Sequence, residues 1–331
     1  MKRLINDGYE VVEEMLEGYA AANKQYVNLD LENRVVVSKL MSEEPRVRVI
    51  VGGGSGHEPM FLGYVGKDFA DAAVVGNVNT SPAPDACYEA VKAVDSGKGG
   101  CLYLYGNYAG DVMNFDMGAE MALEEDGIRV ETVTTTDDVY SAKDKKDRRG
   151  VAGDLPVFKV AGSAAAKGYD LDQVKAVTEK ANDNTYSLGV ALSSSTLPVT
   201  GEVIFQMDEG DMEIGMGLHG EPGIERRKIE KADVIIDEIM AIILDDAKLV
   251  AGDEVYVLVN GLGALPLLDQ YVCYRRVDQI LNEKGIKIHR TDVGNFATSM
   301  DMAGMSVTLV KLDDEVKELL DAPCNTPYYK L

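Results

Sequence analysis

Two of the three histidines in this chain stand in glycine-rich segments of similar composition. The segment GGGSGHEP (52–59) carries His57, and the segment GMGLHGEPG (215–223) carries His219. Glycine has no side chain, so the backbone of such a segment can approach a ligand closely. A neutral imidazole can act as a nucleophile or as a proton acceptor. Both histidines are therefore candidates for chemistry. The alternatives are a tight structural turn for His57 and an ordinary surface loop for His219.

The GGGSGHEP segment does not match the known nucleotide-binding patterns. A Walker loop requires a lysine after its glycines, and none follows here. The GxGxxG pattern also fails, because His57 occupies the third glycine position. His57 and Glu58 are adjacent and have no third ligand nearby in sequence, so they form a poor zinc site. The segment follows the apolar run VRVIV (47–51), which is where open α/β sheets bind ligands. The pattern favours a ligand other than a nucleotide.

Two further segments also end apolar runs. Asp111 lies in GNYAGDVMNF (106–115), directly after CLYLY (101–105). It is either a helix N-cap or a catalytic carboxylate, and the two roles are compatible. NGLGALP (260–266) is either a ligand loop of a second domain or a plain turn. His289 has no glycine-rich setting, and we expect it at the surface near a strand end.

Composition excludes several classes of partner. The 33 lysines and arginines against 56 aspartates and glutamates give a net charge of −23, which argues against nucleic acid or anionic membranes. No apolar stretch is long enough for a membrane span, and the N-terminus lacks the apolar region of a signal peptide. The four cysteines are scattered without CxxC spacing, which is typical of reduced thiols. We expect a cytoplasmic protein.

Short apolar runs alternate with helical patterns and predict two α/β domains. The expected fold has a mixed or largely parallel sheet flanked by helices in each domain, divided into residues 1–185 and 186–331. An amphipathic helix is predicted within 5–23. The strands predicted for the first domain are 47–51, 72–78, 101–105 and 128–135. The apolar segments of the second domain are 187–198, 202–207, 213–223, 254–266, 287–296 and 306–312, with more antiparallel character.

The most basic stretch of the chain is SAKDKKDRRGVAGDLP (141–156). We expect a solvated surface loop or hinge there. The alternative is a docking site for an acidic partner or a phosphate.

Several long motifs occur together and in order along the whole chain: GGGSGHEP, GNYAGDVMNF, GMGLHGEPG, VNGLGALP and TSMDMAGMSVTLVKLDDE. In these motifs the chain closely resembles the substrate-binding K subunit of dihydroxyacetone kinases, in its stand-alone form. The resemblance implies a homodimer of two-domain α/β protomers that binds a small ketose. It implies no cofactor or metal on this chain, because a separate L subunit carries ATP or ADP with magnesium. In many bacteria phosphoenolpyruvate regenerates the donor through the phosphotransferase system, so that system's M subunit is an indirect partner.

The resemblance also assigns roles to residues. His219 matches the histidine that bonds covalently to the ketone carbon as a hemiaminal. His57 matches the histidine that hydrogen-bonds the substrate and accepts a proton, and Asp111 matches the aspartate at the hydroxyl to be phosphorylated. A set of three further residues matches the loop that lines the ketose site: Gly54, Ser55 and Gly56.

One position departs from the family pattern. Many members have a lysine before the Asn-Tyr of the GNYAGDVMNF motif, and here that position is Gly106. Loss of the lysine removes a donor and opens space, so a four-carbon ketose such as erythrulose is an alternative substrate. A ketose-sensing coactivator without transfer activity is a second alternative. The phosphoryl donor, ATP or phosphoenolpyruvate, depends on the partner and stays open.

Overall fold

The computed structural model describes residues 3–331, which form eight α-helices and twelve β-strands. The helices are α1 Val11–Ala22, α2 Pro84–Val94, α3 Ala109–Asp126, α4 Asp154–Ala166, α5 Leu171–Asp183, α6 Ala232–Ala247, α7 Leu267–Glu283 and α8 Asp314–Asp321. The strands are β1 Val27–Asp30, β2 Val35–Ser38, β3 Arg48–Ser55, β4 Ala72–Val78, β5 Cys101–Gly106, β6 Val130–Thr135, β7 Thr185–Ala191, β8 Asp211–Ile214, β9 Glu225–Lys228, β10 Glu254–Gly261, β11 Lys287–Gly294 and β12 Gly304–Lys311.

The chain forms two compact units, and neither is a single continuous stretch. The N-terminal unit comprises residues 3–135, 154–181 and 316–331. The C-terminal unit comprises the described residues 136–153 and 182–315. One passage from the first unit to the second, at 181/182, lies near the boundary expected at residue 185. Residues 136–153 precede the expected boundary but belong to the C-terminal unit. Residues 316–331 follow it but belong to the N-terminal unit.

The sheet of the N-terminal unit has the order β1-β2-β4-β3-β5-β6. Strands β4, β3, β5 and β6 are parallel to one another, and β1 and β2 are antiparallel additions at one edge. Every residue of β3 and β5 is buried. Parallel strands buried in this way have helices on both faces of the sheet. On one face Ile50 and Tyr103 pack with Phe115 of α3 in an apolar core.

The sheet of the C-terminal unit has the order β11-β10-β12-β7-β8-β9, and only β10 and β11 pair in parallel. Helices α6 and α7 cover it with a stripe of isoleucine, leucine and methionine. The expected α/β class is confirmed for both units, and so is the more antiparallel character of the second.

The segment EVIFQM (202–207) is not a strand, although its composition suggested one. Val203 pairs only with Thr196. The amide of Ile204 donates to the Ser195 carbonyl at 3.0 Å, and the amide of Phe205 donates to the Ser194 hydroxyl at 3.1 Å. These amides are satisfied within a local loop, so none is left for a neighbouring strand.

The basic stretch 141–156 is only partly the solvated loop that we expected. Lys143 and Lys146 are exposed. Arg148, by contrast, is 5% exposed and makes two hydrogen bonds of 2.7 Å to Asp246. Lys145 donates to two backbone carbonyls, at 2.9 and 2.8 Å. Most of these cations therefore bind within the C-terminal unit. The last three residues of the stretch, 154–156, already belong to the buried helix α4.

No helix within residues 3–331 is both long enough and apolar enough to cross a bilayer.

Candidate functional site

The first three glycines of GGGSGHEP, Gly52 to Gly54, lie inside strand β3. The expectation that the whole motif follows the strand as a loop is therefore wrong. A Cβ on Gly52 would lie 2.4 Å from the carbonyl oxygen of Val74. A Cβ on Gly54 would lie 2.7 Å from the amide nitrogen of Thr80. Both distances are far below contact distance. These glycines therefore allow β3 to approach its neighbours closely, and this packing explains them without a phosphate cradle.

Strand β3 ends at Ser55, and the chain turns sharply at Gly56. The Ser55 hydroxyl is buried and donates to the carbonyl of Gly76 at 2.7 Å. It therefore fixes the end of β3 to β4. Gly56 has a φ of +103°, which side-chain-bearing residues rarely adopt. The turn places the next residue, His57, beyond the carboxyl end of the sheet.

His57 is held in a folded loop and is only 2% exposed. Its carbonyl accepts a hydrogen bond from the amide of Met60 at 3.0 Å. The amide of Gly56 donates to the Glu58 carboxyl group at 3.0 Å. Burial raises the pKa of Glu58, although the Gly56 amide opposes that shift. The Glu58–Pro59 peptide bond is cis. The loop thus presents a buried imidazole next to a carboxyl group that ionises less readily than usual.

The sequence reasoning missed Phe61, two residues beyond the quoted motif. It has a φ of +64° and a ψ of −76°, and the amide of Leu62 donates to the Met60 carbonyl at 3.1 Å across it. This is a γ-turn of the strained kind, centred on a residue with a side chain. Such strain persists only where the surrounding structure imposes it, which is common beside functional sites.

Asp111 is the third residue of α3 and is 8% exposed. The N-cap position belongs to Tyr108, so the N-cap interpretation of Asp111 is wrong. In the first turn its carboxylate still benefits from the positive end of the helix dipole. Burial is the main cause of the raised pKa of Cys87, and the negative charge of Asp111 adds to it. The carboxylate therefore lies towards the protein interior and is not extended into solvent.

His57 and Asp111 both lie beyond the carboxyl-terminal end of one sheet. Strands β3 and β5 are adjacent and parallel, and the two residues follow their carboxyl ends. Phe115, one turn along α3 from Asp111, packs against β3, where its ring would lie 2.8 Å from a Cβ on Gly52. Gly106 is the last residue of β5 and is buried at this same carboxyl-terminal end of the sheet.

His219 lies in the C-terminal unit, in the loop between β8 and β9. Its amide donates to Oε2 of Glu221 at 3.0 Å, and its imidazole Nδ1 lies 3.2 Å from Oε1 of the same carboxylate. The side chain is 23% exposed. Gly220, with a φ of +83°, leaves no room for a Cβ, which would meet Ile204 at 2.8 Å. The loop therefore shows an imidazole with one nitrogen engaged by a carboxylate and its ring partly open to solvent.

The chain after β11 contacts the His219 loop, and Asn260 of the NGLGALP segment binds that chain. Asn260 accepts hydrogen bonds from the amides of Phe296 and Ala297 at 2.8 and 2.9 Å. Its own amide donates to the Ala297 carbonyl at 2.7 Å. A few residues on, the Ser299 hydroxyl donates to the carbonyl of Leu218 at 2.5 Å. Asn260 of NGLGALP, near the end of β10, therefore anchors the chain that follows β11. Ser299 is a supporting residue that no sequence pattern indicated.

The third histidine, His289, lies within β11 and not at its end. Its Nδ1 is 3.5 Å from a carboxylate oxygen of Glu254, and its side chain is 22% exposed. This is a partly exposed surface position, as expected. Within residues 3–331 no group of three or more His, Cys, Asp and Glu side chains is placed to hold a metal ion.

Comparison with known proteins identifies the family. The family model of the Dak1 domain matches residues 17–328, nearly the whole chain. The chain belongs to the Dak1 domain family. The resemblance drawn from its motifs is thereby confirmed. A relative from Listeria innocua, named PTS-dependent dihydroxyacetone kinase 2, dihydroxyacetone-binding subunit DhaK, is 72% identical to this Dak1 chain over 100% of both.

Two other proteins are similar to this Dak1 chain at greater distance. L-erythrulose 1-kinase of Mycolicibacterium smegmatis is 40% identical over 100% of this chain and 58% of its own length. The solved structure of a dihydroxyacetone kinase operon co-activator, Dha-DhaQ, superimposes with a TM-score of 0.89 at 31% identity, covering 95% of this chain and 97% of that one.

Proposed function

We propose that this chain is the dihydroxyacetone-binding subunit of a dihydroxyacetone kinase, a phosphotransferase with an alcohol group as acceptor. The observation that carries the proposal is the 72% identity, over the full length of both chains, with a subunit of that name. Its product would be dihydroxyacetone phosphate, formed when a separate L subunit transfers a phosphoryl group to a terminal hydroxyl of the bound ketose.

His219 is proposed to hold the ketose covalently as a hemiaminal. Its imidazole is partly exposed on a glycine-rich loop, which supports access of a small carbonyl compound to the ring. A neutral imidazole nitrogen adds reversibly to a ketone carbon. Glycerol has no carbonyl, so a covalent bond selects the ketone over the polyol more sharply than hydrogen bonds to hydroxyls would.

His57 and Asp111 are proposed to act on the hydroxyl groups of the ketose. His57 would hydrogen-bond the substrate and accept a proton, and Asp111 would orient or deprotonate the hydroxyl to be phosphorylated. Gly54, Ser55 and Gly56 would line the ketose site with backbone, since the Ser55 hydroxyl is already bonded to Gly76. We predict that His57, Asp111 and His219 act on one ketose molecule.

The proposed partners follow from the same assignment. The L subunit would carry ATP or ADP with magnesium, and this chain would hold no cofactor of its own. Phosphoenolpyruvate would be the ultimate phosphoryl source, with the M subunit of the phosphotransferase system as an indirect partner. We also propose a homodimer that works in the cytoplasm. With a net charge of −23, the chain would recognise a neutral ketose more readily than an anionic substrate.

Two specific observations keep alternatives in view. Gly106 and the 40% identity with an L-erythrulose 1-kinase favour a four-carbon ketose as a second substrate. The close superposition with a kinase operon co-activator favours a ketose sensor. Retention of His57 and Asp111 together with His219 supports the kinase, because a sensor needs only the binding residue.

The deciding experiment combines intact-protein mass spectrometry with a coupled kinase assay. With dihydroxyacetone, the protein should gain the mass of one ketose, whereas glycerol should leave it unchanged. His219→Asn should abolish the adduct, and His289→Asn is the matched control. Adding a dihydroxyacetone kinase L subunit with its donor should give turnover. A wild-type protein without an adduct would contradict the covalent role of His219. An adduct without turnover would favour the sensor.

A further inference from the structure

The segment that follows strand β4 packs against the carboxyl end of β3. Ser55 pairs with Val78 in the parallel ladder of these two strands. Asn79 is the next residue along, so it is level with Gly56, where the chain turns sharply. The Asn79 amide donates to the Ser55 carbonyl at 2.9 Å, and a Cβ on Gly54 would lie 3.0 Å from the Asn79 Cα. Asn79 therefore lies directly beside the backbone that is proposed to line the ketose site.

The same segment also contacts the beginning of α3, which carries Asp111. A Cβ on Gly110 would lie 3.6 Å from the Cβ of Ser81. The side-chain amide of Asn114 donates to the Pro82 carbonyl at 2.8 Å. Strand β3 lies between β4 and β5, so the carboxyl ends of the two outer strands are about 10 Å apart. A small ketose can span this distance between side chains that follow β4 and β5.

The side-chain carbonyl oxygen of Asn79, Oδ1, is buried and accepts no hydrogen bond from any group within residues 3–331. A buried acceptor without a donor destabilises a folded chain, and most such groups in proteins have a partner. The backbone of Asn79 is left-handed, with a φ of +54°, a conformation that asparagine tolerates better than most residues. A ligand that supplies the donor would explain an orphaned acceptor beside a binding site.

We propose that Asn79 is a specificity-determining residue whose Oδ1 accepts a hydrogen bond from the ketose hydroxyl that is not phosphorylated. This inference rests on the proposed function for the identity of the ligand. Asp111, which follows β5, is assigned to the hydroxyl that is phosphorylated, so the hydroxyl at the other end of the ketose lies on the side of β4. A hydroxyl group donates one hydrogen bond, which an amide oxygen can accept. Dihydroxyacetone and erythrulose both have a hydroxyl on each side of the carbonyl group, so both can make this contact.

The test compares dihydroxyacetone with hydroxyacetone, a ketone of the same three carbons that has only one hydroxyl. To be phosphorylated, hydroxyacetone must place that hydroxyl at Asp111, and its methyl group then faces Asn79. The wild type with an added dihydroxyacetone kinase L subunit and its donor should therefore have a higher kcat/KM for dihydroxyacetone. In Asn79→Gly this preference should fall about 3- to 10-fold, the effect of one neutral hydrogen bond. Glycine tolerates the left-handed backbone, so the change removes the side chain without straining the chain.

Two further variants separate the carbonyl oxygen from other effects. Asp68→Gly is the matched control, because it removes a side chain from another left-handed residue, with a φ of +57°, before the opposite end of β4. It should leave the preference unchanged. Asn79→Asp keeps an oxygen on each branch of the side chain, so it should retain most of the preference. Loss of the preference in Asn79→Asp would show that the amide nitrogen faces the ketose and would overturn the acceptor role. Urea denaturation checks that each variant folds.

Calorimetric titration of dihydroxyacetone without an L subunit separates this inference from the proposed function. Turnover by a wild type without the preference, an unchanged preference in Asn79→Gly, or an equal loss on both substrates would overturn the role of Asn79 and leave the function standing. A wild type that binds dihydroxyacetone without turnover, and binds it about 3- to 10-fold more weakly after Asn79→Gly, would contradict the kinase and leave the contact standing. A wild type that binds no dihydroxyacetone, or whose binding without turnover is unchanged in Asn79→Gly, would contradict both.

Discussion

The ring of Phe61 occupies the space that a side chain on Gly53 would need. A Cβ on Gly53 would lie 2.7 Å from Cζ of Phe61, and that ring is 3% exposed. Gly53 lies in β3, and Phe61 follows the His57 loop on a strained γ-turn. The loop therefore folds back over its own strand. This contact limits where His57 can lie.

Gly53→Ala should disturb this contact. The added methyl group meets a buried ring, and the φ of +154° at this position disfavours a side chain. We expect a loss of about 1–3 kcal/mol in the free energy of unfolding, typical of an overpacked core, measured by urea denaturation. Gly18→Ala is the control, because a Cβ there meets nothing within 4 Å and the residue lies in α1. It should be neutral or stabilising, and an equal loss in both variants would contradict the packing role of Gly53.

Asp111→Asn should slow phosphoryl transfer far more than it weakens ketose binding. Removing a group that acts as general base lowers turnover about 100- to 10,000-fold. Turnover is measured with an added L subunit, and binding by the ketose adduct. Asp116→Asn is the matched control, since it lies on the same helix and is exposed. Equal losses of binding and turnover would assign Asp111 to binding alone.

Gly106→Lys should shift substrate preference towards dihydroxyacetone. Gly106 is buried at the carboxyl end of β5, so a long side chain there would take up space at the end of the strand that precedes Asp111. We expect the ratio of kcat/KM for erythrulose to that for dihydroxyacetone to fall, and circular dichroism would check that the variant folds. Gly106→Ala should show a smaller shift. Improved activity on erythrulose in the lysine variant would refute the idea that Gly106 widens the site.

Glu221 should make stability depend on pH in the acid range. Its pKa falls from 4.5 to about 2 on folding, so the unfolded chain takes up the proton first as the pH falls. The stability that Glu221 contributes is therefore complete above pH 4.5 and is lost as the pH falls towards 2. Because the side chain is 31% exposed, we expect a contribution of about 2 kcal/mol or less.

The measurement for Glu221 is urea denaturation of the wild type and Glu221→Gln between about pH 3 and pH 6. The difference in unfolding free energy should be constant at the upper end and shrink at the lower end. A difference that grew on acidification would show that the carboxylate is destabilised in the folded chain.

Much of the N-terminal sheet was predictable because β3, β4 and β5 contain short apolar runs and β6 is rich in β-branched residues. The segments 47–51, 72–78, 101–105 and 128–135 all correspond to observed strands. Strands β1 and β2 were missed, since each has only four residues and shows no clear period. The segment EVIFQM (202–207) has the composition of a strand, but the amides of Ile204 and Phe205 donate within a local loop and not to a neighbouring strand.

Within the candidate site, the sequence indicated His57, Asp111 and His219 by residue type and setting. It did not indicate Glu221, although that residue stands inside the quoted GLHGEPG motif. A signal was present, because a glutamate two residues from a histidine in a glycine turn can reach the ring. Arg149 gave no such signal, because its partners Gly215 and Glu221 lie more than 60 residues away in the chain.

The sequence by itself determined the family, the α/β class and the residues with chemical potential, since these depend on local composition and on motifs within short segments. Only the tertiary structure showed the role of the glycines in β3, which is to allow close packing against Val74, Thr80 and Phe61. It also decided that segments 136–153 and 316–331 cross the expected boundary at 185. These properties depend on which distant segments meet. Hydrophobic period and turn composition depend only on residues that are close along the chain. The contacts of β3 with its neighbours, and of Arg149 with Glu221, depend on how whole elements pack.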